Sequence, residues 1–271
     1  MSKIFFAELR RLFHFRLYYI ECAAVVLFSL FYFKPPVIDS FLFYSMLVIG
    51  ALSAICVSQF IGMEYSCGAI RNKLATGHAR TEIYLAQLVL HVLATVILFH
   101  ISILAIVIAG AIFNWTYYFS FQTLFVYYLA CICTIICITA ISVFVSMLSS
   151  SNLASLVILL VLYFGLSMAG TNFYSALREQ EMRVADTSQT GDFQDEHNID
   201  VGTRMGFEYM LLINPYGQAT YESMPVLESY GEYIPMQILK NPFPKIFLFS
   251  AVESLGITAV GIYVFKKKEI K

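Results

Sequence analysis

Four ionisable residues, Glu21, His91, His100 and Glu253, lie within long apolar stretches of the sequence, where a charge is costly. A charged carboxylate near the bilayer centre costs roughly 2.5–3.5 kcal/mol on insertion scales, so Glu253 must face other helices or water, or be protonated. At a rise of about 1.5 Å per residue, His100 and Glu253 lie at similar heights on their helices. This predicts a polar pair between them, which is either a structural hydrogen bond or part of a transport route.

A second polar feature, the basic island Glu64–Arg80, separates two stretches that contain no Asp, Glu, Lys or Arg. The stretch before it, Ser40–Met63, has 24 residues, and the stretch after it, Ile83–Leu177, has 95. A short basic segment between two apolar stretches of bilayer length is typical of a cytoplasmic loop, because Lys and Arg are enriched on the inner side of membrane proteins.

The spacing within the basic island predicts a short helix. The residues from Glu64 to Ala75 include no proline and only one glycine, and Ile70 and Leu74 are spaced to stack on one helix face. Gly77 can adopt the left-handed backbone that ends many helices. We expect a rigid helix that lies across the inner membrane face and is suited to contact with a soluble partner.

Motifs that carry enzymatic chemistry are missing from the sequence. There is no Gly-Lys dipeptide, and therefore no phosphate-binding Walker loop, and there is no His-Glu-x-x-His or Gly-x-Ser-x-Gly motif. The six cysteines lack paired CxxC spacing, which argues against a metal site. They lie in apolar stretches or in the basic island, and none lies in the long polar segment after residue 172, which argues against a disulfide framework. We expect no catalysis, no metal and no cofactor in this chain, and the net charge of −1 gives no indication of nucleic-acid binding.

The composition supports a membrane protein. Of the 271 residues, 59% are hydrophobic and 13% are charged, which is far more apolar than an average soluble domain. Polar breaks at Gly110–Ser120 and Ser149–Asn152 divide the longest uncharged stretch into three helices, so the fold class is an all-α integral membrane protein with six transmembrane helices. The predicted spans are residues 17–33, 41–61, 83–110, 119–148, 153–171 and 246–265.

The distribution of Lys and Arg predicts the orientation of these spans. The spacing of charged and apolar residues within residues 1–16 predicts an amphipathic helix that lies in the membrane interface. This helix, the island within residues 63–80 and the C-terminal tail contain four, three and four Lys or Arg residues. A multi-pass protein of the cell membrane with both termini in the cytoplasm satisfies this bias, and it places residues 172–245 outside.

In the basic island, Glu64-Tyr65-Ser66, Gly68 and Ile70-Arg71-Asn72-Lys73 precede Gly77 and Arg80. This pattern resembles the loop between the second and third membrane helices of ABC transporter permeases of the type 2 exporter family, in its bacterial members. Cys67 and Ala69 depart from the pattern that carries this resemblance. The resemblance implies a coupling helix that docks into a cleft of a separate ATPase, with Arg71, Lys73 and Arg80 paired with acidic residues there. The apolar side chains that would fill the cleft are Ile70 and Leu74. The implied ATPase-coupling residues are Glu64, Tyr65, Gly68, Ile70, Arg71, Asn72, Lys73, Leu74, Gly77 and Arg80.

The predicted outer segment contains two apolar stretches, Met210–Gly217 and Tyr233–Leu239, that are too short to cross a bilayer. The resembling family has short re-entrant helices and an Asn-Pro-aromatic-Gly element between its fifth and sixth spans, and Asn214–Gly217 matches this element. We expect Phe207–Leu239 to form a re-entrant cap over the outer exit. The alternative is a folded extracellular loop with a small core of its own.

The resemblance implies a permease subunit of an ATP-driven exporter. Two such bundles, identical or related, would sit in the lipid membrane above two ATPase subunits that bind ATP and Mg, and would move an amphipathic peptide, antibiotic or lipid-like substrate out of the cell. A non-transporting resistance or sensor subunit and an ATP-independent secondary carrier are the alternatives. A carrier should show inverted repeats or proline-broken spans, and the sequence shows neither.

Overall fold

The computed structural model describes residues 2–31, 45–114, 119–149, 151–190, 201–223, 226–229, 232–235 and 242–269. Within these residues the chain forms ten α-helices and a two-stranded antiparallel ribbon. The helices are α1 Ser2–Leu12, α2 Arg16–Phe31, α3 Met46–Ser66, α4 Ala69–Ala75, α5 Arg80–Phe113, α6 Phe121–Leu148, α7 Asn152–Thr190, α8 Val201–Ile213, α9 Pro215–Ser223 and α10 Pro242–Lys267. The strands are β1 Val226–Ser229 and β2 Glu232–Pro235, which pair from Val226 opposite Pro235 to Ser229 opposite Glu232.

Five helices are long and apolar enough to cross a membrane: α3, α5, α6, α10 and the Asn152–Gln180 part of α7. Helices α1 and α2 meet at a bend of 62° and together supply a sixth candidate span. The predicted multi-pass helical fold is thus confirmed in its general form. The β1–β2 ribbon corrects the all-α prediction for the segment that precedes α10.

The observed helices run past several predicted span boundaries. Helix α7 continues to Thr190, so the segment predicted to be an outer loop from residue 172 begins as a helix, because neither proline nor glycine interrupts it there. Helix α3 continues to Ser66, past the predicted end at residue 61. Helix α10 begins at Pro242, where a proline in the first turn sacrifices no helical hydrogen bond. The predicted boundaries at residues 33 and 41 lie outside the described residues.

Helix α6 is the centre of the bundle and packs against α3, α5, α7, α9 and α10. In an 18-residue apolar stretch of each helix, 61% is buried inside the protein for α3 and for α6, but only 17% for α7 and for α10. Helices α7 and α10 therefore present large apolar faces to the surroundings of the chain.

Helices α8 and α9, with 13 and 9 residues, are too short to cross a bilayer. Helix α9 packs against α3, α6, α7 and α8, and every residue from Asn214 to Glu222 is buried. The Asn-Pro-aromatic-Gly element therefore lies inside the helical bundle, and its depth relative to a membrane stays a prediction.

Asn214 and a close contact between two glycines hold α9 in this place. The side-chain amide of Asn214 donates to the carbonyl of Leu166 on α7 at 2.6 Å, and its oxygen accepts from the N–H of Tyr216 at 3.1 Å. A Cβ atom on Gly170 of α7 would lie 2.7 Å from the Cα of Gly217 on α9. Since no other residue lacks this atom, the glycine pair allows the two helix backbones to touch.

We expect the substitution Gly170→Ala to lower the melting temperature of the purified protein, because overpacking a tight contact typically costs about 1–3 kcal/mol. The matched control is Gly165→Ala on the same helix, where nothing lies within 4 Å of the added Cβ. This control should be neutral or slightly stabilising, because alanine favours helix. Equal melting temperatures for the two variants would contradict a close contact between α7 and α9.

Candidate functional site

Helix α4, the centre of the predicted coupling loop, is a seven-residue helix between two glycines with left-handed backbone, Gly68 at φ 71° and Gly77 at φ 89°. Gly77 occupies the predicted stop. Gly68 corrects the predicted continuous helix from Glu64 to Ala75, because a positive φ cannot be part of a right-handed helix. Glu64 consequently belongs to the last turns of α3, and α4 is a separate element.

The carboxylate of Glu64 is the centre of a buried ion cluster. Its side chain is 0% exposed. One oxygen accepts a hydrogen bond from Nη1 of Arg11 at 2.7 Å, and the other accepts from Nζ of Lys73 at 2.7 Å and Nε2 of Gln87 at 2.8 Å. A buried carboxylate without such donors would be strongly destabilising, so these contacts are what allows Glu64 to occupy this place.

A second carboxylate, Glu8 on α1, balances the charges. Nζ of Lys73 lies 2.6 Å from one oxygen of Glu8, and Nη1 of Arg11 lies 3.3 Å from the other. Two acids and two bases thus neutralise each other, and Gln87 adds a neutral donor. We call these five residues the α4 ion cluster. It joins four helices, because its members come from α1, α3, α4 and α5.

An apolar layer fixes α4 from the same side. Ile70 is fully buried in a cluster that includes Ile61 of α3, Ile83 of α5 and Phe265 of α10, and Leu74 packs at its edge. Ile70 therefore fills the core of this chain itself, and the prediction that it fills a cleft of a partner protein is wrong.

Arg80 binds the end of α10. Its Nη1 donates to the carbonyl of Phe265 at 2.9 Å and to that of Lys268. Lys268 in turn donates to the hydroxyl of Tyr65 at 3.1 Å and to the carbonyl of Met147, at the end of α6, at 3.0 Å. The positive charge of Arg80 is favourable at the last carbonyls of a helix. Burial disfavours the charged form of Lys268 and lowers its pKa to about 8. These contacts bring α1, α4 and the C-terminal lysines to one end of the bundle, which we call the α4 end.

The part of α4 that solvent reaches is narrow. A cleft of about 280 Å³ opens between α1 and α4, with the Glu8–Lys73 pair in its lining. The exposed residues of α4 and of the turn before it form one surface, which we call the α4 face. It consists of Ser66, Cys67, Arg71, Asn72, Ala75 and Thr76.

The structure thus brings the ten predicted coupling residues to one end of the bundle but divides them by role. The expectation that Lys73 and Arg80 pair with acids of a partner is corrected, because both already bind groups of this chain. The division is Glu64 and Lys73 in the ion cluster, Ile70 and Leu74 in the apolar layer, Tyr65 and Arg80 at the end of α10, Gly68 and Gly77 in the turns, and Arg71 and Asn72 on the α4 face.

The predicted pair between His100 and Glu253 is not formed. The ring nitrogens of His100 lie 2.7 Å from the carbonyl of Val96 and 2.9 Å from the hydroxyl of Tyr128. Glu253 accepts from the thiol of Cys137 at 3.3 Å. Both side chains reach α6, but their partners there are nine residues apart, which is roughly 13 Å along a helix. The depth estimate was therefore wrong.

The sequence reading missed Glu8, Arg11, Gln87 and Lys268 as site residues. Gln87 carried a usable signal, since it is a lone amide in an uncharged stretch and a buried amide needs a partner. The other three looked like ordinary interfacial charges. Their role depends on how α1 and α10 pack, which spacing along the chain does not reveal.

Comparison with known proteins connects this site to a family. A family model described as ABC-2 family transporter protein matches residues 12–270. The match includes α3, α4, α5 and α10 in full, and so covers most of the α4 ion cluster. No curated protein and no solved structure was found to match the chain.

We expect Glu64→Gln to lower the free energy of unfolding by about 3 kcal/mol, because it removes one charge from a buried ion cluster and leaves Arg11 and Lys73 with a single acid between them. Chemical denaturation in detergent measures this. The control is Glu269→Gln, which removes an exposed carboxylate at the same end of the bundle. The double variant Glu64→Gln with Lys73→Gln should lose less free energy of unfolding than the sum of the losses in the two single variants. Strict additivity would contradict the direct contact.

Proposed function

Because the chain belongs to the ABC-2 family of transporter proteins, it is a multi-pass membrane component of an ABC transporter, and we propose that it is the permease subunit of an exporter driven by a separate ATPase. The chain contains no Walker loop, so in this proposal ATP and Mg bind on the partner. The observation that carries the proposal is the α4 ion cluster, since it connects an exposed short helix to three other helices of the bundle.

In the proposed mechanism the ATPase contacts the α4 face. Arg71 supplies its exposed positive charge, and Asn72 supplies hydrogen-bonding groups. When nucleotide binding closes the ATPases, α4 is displaced. Lys73 binds acids on both α1 and α3, so the displacement is transmitted to those helices and is not absorbed in a loop. The α1–α4 cleft gives the partner a second point of contact.

The position of the basic segments supports the proposed orientation. The N-terminal helix, α4 and the C-terminal lysines all meet at the α4 end, which is the arrangement expected if this end faces the cytoplasm. We therefore place both termini inside and α9 toward the outer side.

The apolar faces of α7 and α10 support a second permease chain as a partner, because so little of either helix is buried within one chain. Two copies facing each other above two ATPases would enclose a larger pathway than one bundle. For the substrate we propose an amphipathic peptide, antibiotic or lipid-like molecule. Exposed aromatic side chains on the spans, such as Phe164 on α7 and Tyr263 on α10, suit contact with such a molecule.

The exposed thiol of Cys67 provides a test of the orientation. A membrane-impermeant maleimide should label Cys67 in inverted vesicles and not in right-side-out vesicles or intact cells, because the α4 face is proposed to be cytoplasmic. The variant Cys67→Ser, which should lose this labelling, identifies the reactive site. Labelling of Cys67 from outside intact cells would overturn the orientation and, with it, docking of an ATPase on α4.

The substitution Arg71→Glu tests the docking surface. We expect it to reduce co-purification of the proposed ABC ATPase partner at least tenfold, because it reverses the exposed charge of α4 without touching the ion cluster. The matched control Lys266→Glu makes the same charge change at an exposed residue of the same end and should keep the ATPase. A wild-type yield of complex with Arg71→Glu would mean that the ATPase docks elsewhere or that the chain works without one.

A further inference from the structure

A carboxylate with no positive partner among the described residues is buried near the middle of the bundle, beside the midpoint of α6. Glu222, on the last turn of α9, is 0% exposed. One of its oxygens accepts a hydrogen bond from the hydroxyl of Thr134 on α6 at 2.8 Å, and the other has no hydrogen-bond partner. Among the described residues, no Lys, Arg or His pairs with this carboxylate or shifts its pKa.

Neutral hydrogen bonds surround this group. The side-chain oxygen of Gln218, one turn earlier on α9, accepts from Thr134 at 3.2 Å and from the hydroxyl of Ser250 on α10 at 2.7 Å. Its amide nitrogen donates to the carbonyl of Leu212. We call Thr134, Gln218, Glu222 and Ser250 the α9 polar network. It attaches α9 to both α6 and α10, and it contains no ion pair.

The titratable groups that face Glu222 add no positive charge. Tyr127, Cys131 and Cys133 of α6 and Tyr221 of α9 interact with it electrostatically. Burial raises the pKa of Tyr221, so this neighbour stays neutral at physiological pH. The thiol of Cys131 lies beside Glu222 and supplies no charge either.

Cations on the other helices that pack against α9 act elsewhere. Arg178 of α7 interacts with Tyr174, and Arg204 of α8 pairs with Glu208 at 3.4 Å. On α10, Lys245 is not among the groups that shift the pKa of Glu222, and Glu253 is itself an acid. Helix α3 contains no Lys, Arg or His. Within the part of the chain that the structure describes, an ionised Glu222 would therefore be an uncompensated charge in an apolar core, which is strongly unfavourable.

We propose that Glu222 is a proton-binding site that holds α9 inside the bundle. With α9 packed, the carboxyl is neutral and its unpaired oxygen carries the proton. When α9 moves toward water, the carboxyl releases this proton to solvent and ionises. Displacement of α9 and loss of one proton are thus a single coupled step. This step needs no ATPase and does not depend on the docking proposed for α4.

The direction of the pH dependence follows from the burial of Glu222. Burial raises its pKa from 4.5 to about 8 while α9 is packed. The packed state therefore binds the proton more tightly than the displaced state, and it is favoured in full below the ordinary pKa. Between pH 4.5 and pH 8 the equilibrium constant that favours packed over displaced α9 falls about tenfold per pH unit, and above pH 8 it no longer changes. Acid conditions keep α9 in place.

Hydrogen exchange on the intact chain in lipid nanodiscs tests the proposal. After correction for the intrinsic pH dependence of exchange, the protection of the α9 amides should fall about tenfold per pH unit between pH 5 and pH 7.5. In Glu222→Gln, which keeps the shape and stays neutral, the same amides should stay protected at every pH. The infrared difference spectrum between the wild type and this variant should show the carboxylic C=O band of protonated Glu222.

Two control variants keep the test specific. Glu208→Gln on α8 and Glu253→Gln on α10 remove neighbouring acids and should keep the wild-type pH dependence of α9 protection. A wild type whose α9 protection is independent of pH, or a Glu222→Gln variant with an unchanged slope, would overturn the proposal. If Glu222→Gln does not fold, the wild-type slope decides.

Discussion

The arrangement of the α4 end depends on the requirement that the buried charge of Glu64 be compensated. Removing this carboxylate from water is unfavourable unless cations and hydrogen-bond donors reach it, and they come from three other helices. Arg11 can reach it only if α1 turns back over α3, and the 62° bend between α1 and α2 allows this. Lys73 can reach it only if the chain turns at Gly68, whose left-handed backbone reverses the direction after α3. Helix placement at this end is thus a consequence of charge compensation as much as of apolar packing.

Around α9 the same requirement is met with neutral groups. The α9 polar network consists of one amide, two hydroxyls and one carboxyl, and helix contact relies on the backbone approach of Gly170 and Gly217. Neutral hydrogen bonds contribute roughly 0.5–1.5 kcal/mol each, and separating them leaves no buried charge behind. Separating the helices that the α4 ion cluster joins would leave its two acids and two bases incompletely paired. The α4 end and the surroundings of α9 should therefore differ in how readily their helices separate.

The apolar spans could be predicted from the sequence because a bilayer demands length and lack of charge, both of which are local properties. The same holds for Gly77, since a helix stop needs only one permissive residue. Partners of polar side chains could not be predicted. His100 and Glu253 were predicted to lie at similar depths, yet their partners on α6 are nine residues apart, because the tilt and offset of neighbouring helices depend on packing. Ile70 and Lys73 looked like docking residues because nothing in their spacing shows that α1 and α10 cover them.

The difference between the α4 end and the surroundings of α9 bears on how a displacement would travel. A force on α4 meets a network in which Lys73 is bound to acids of α1 and α3, so relative sliding of these helices would have to break charge contacts first. Moving α1, α3 and α4 together as a rigid unit costs less free energy than sliding them past one another. The far end of α3 contacts α9 through Gly50 and Tyr216, and that contact is one of shape and not of charge. Motion that enters at α4 as a block should therefore be released where the contacts are neutral, which is the junction of α3 with α9.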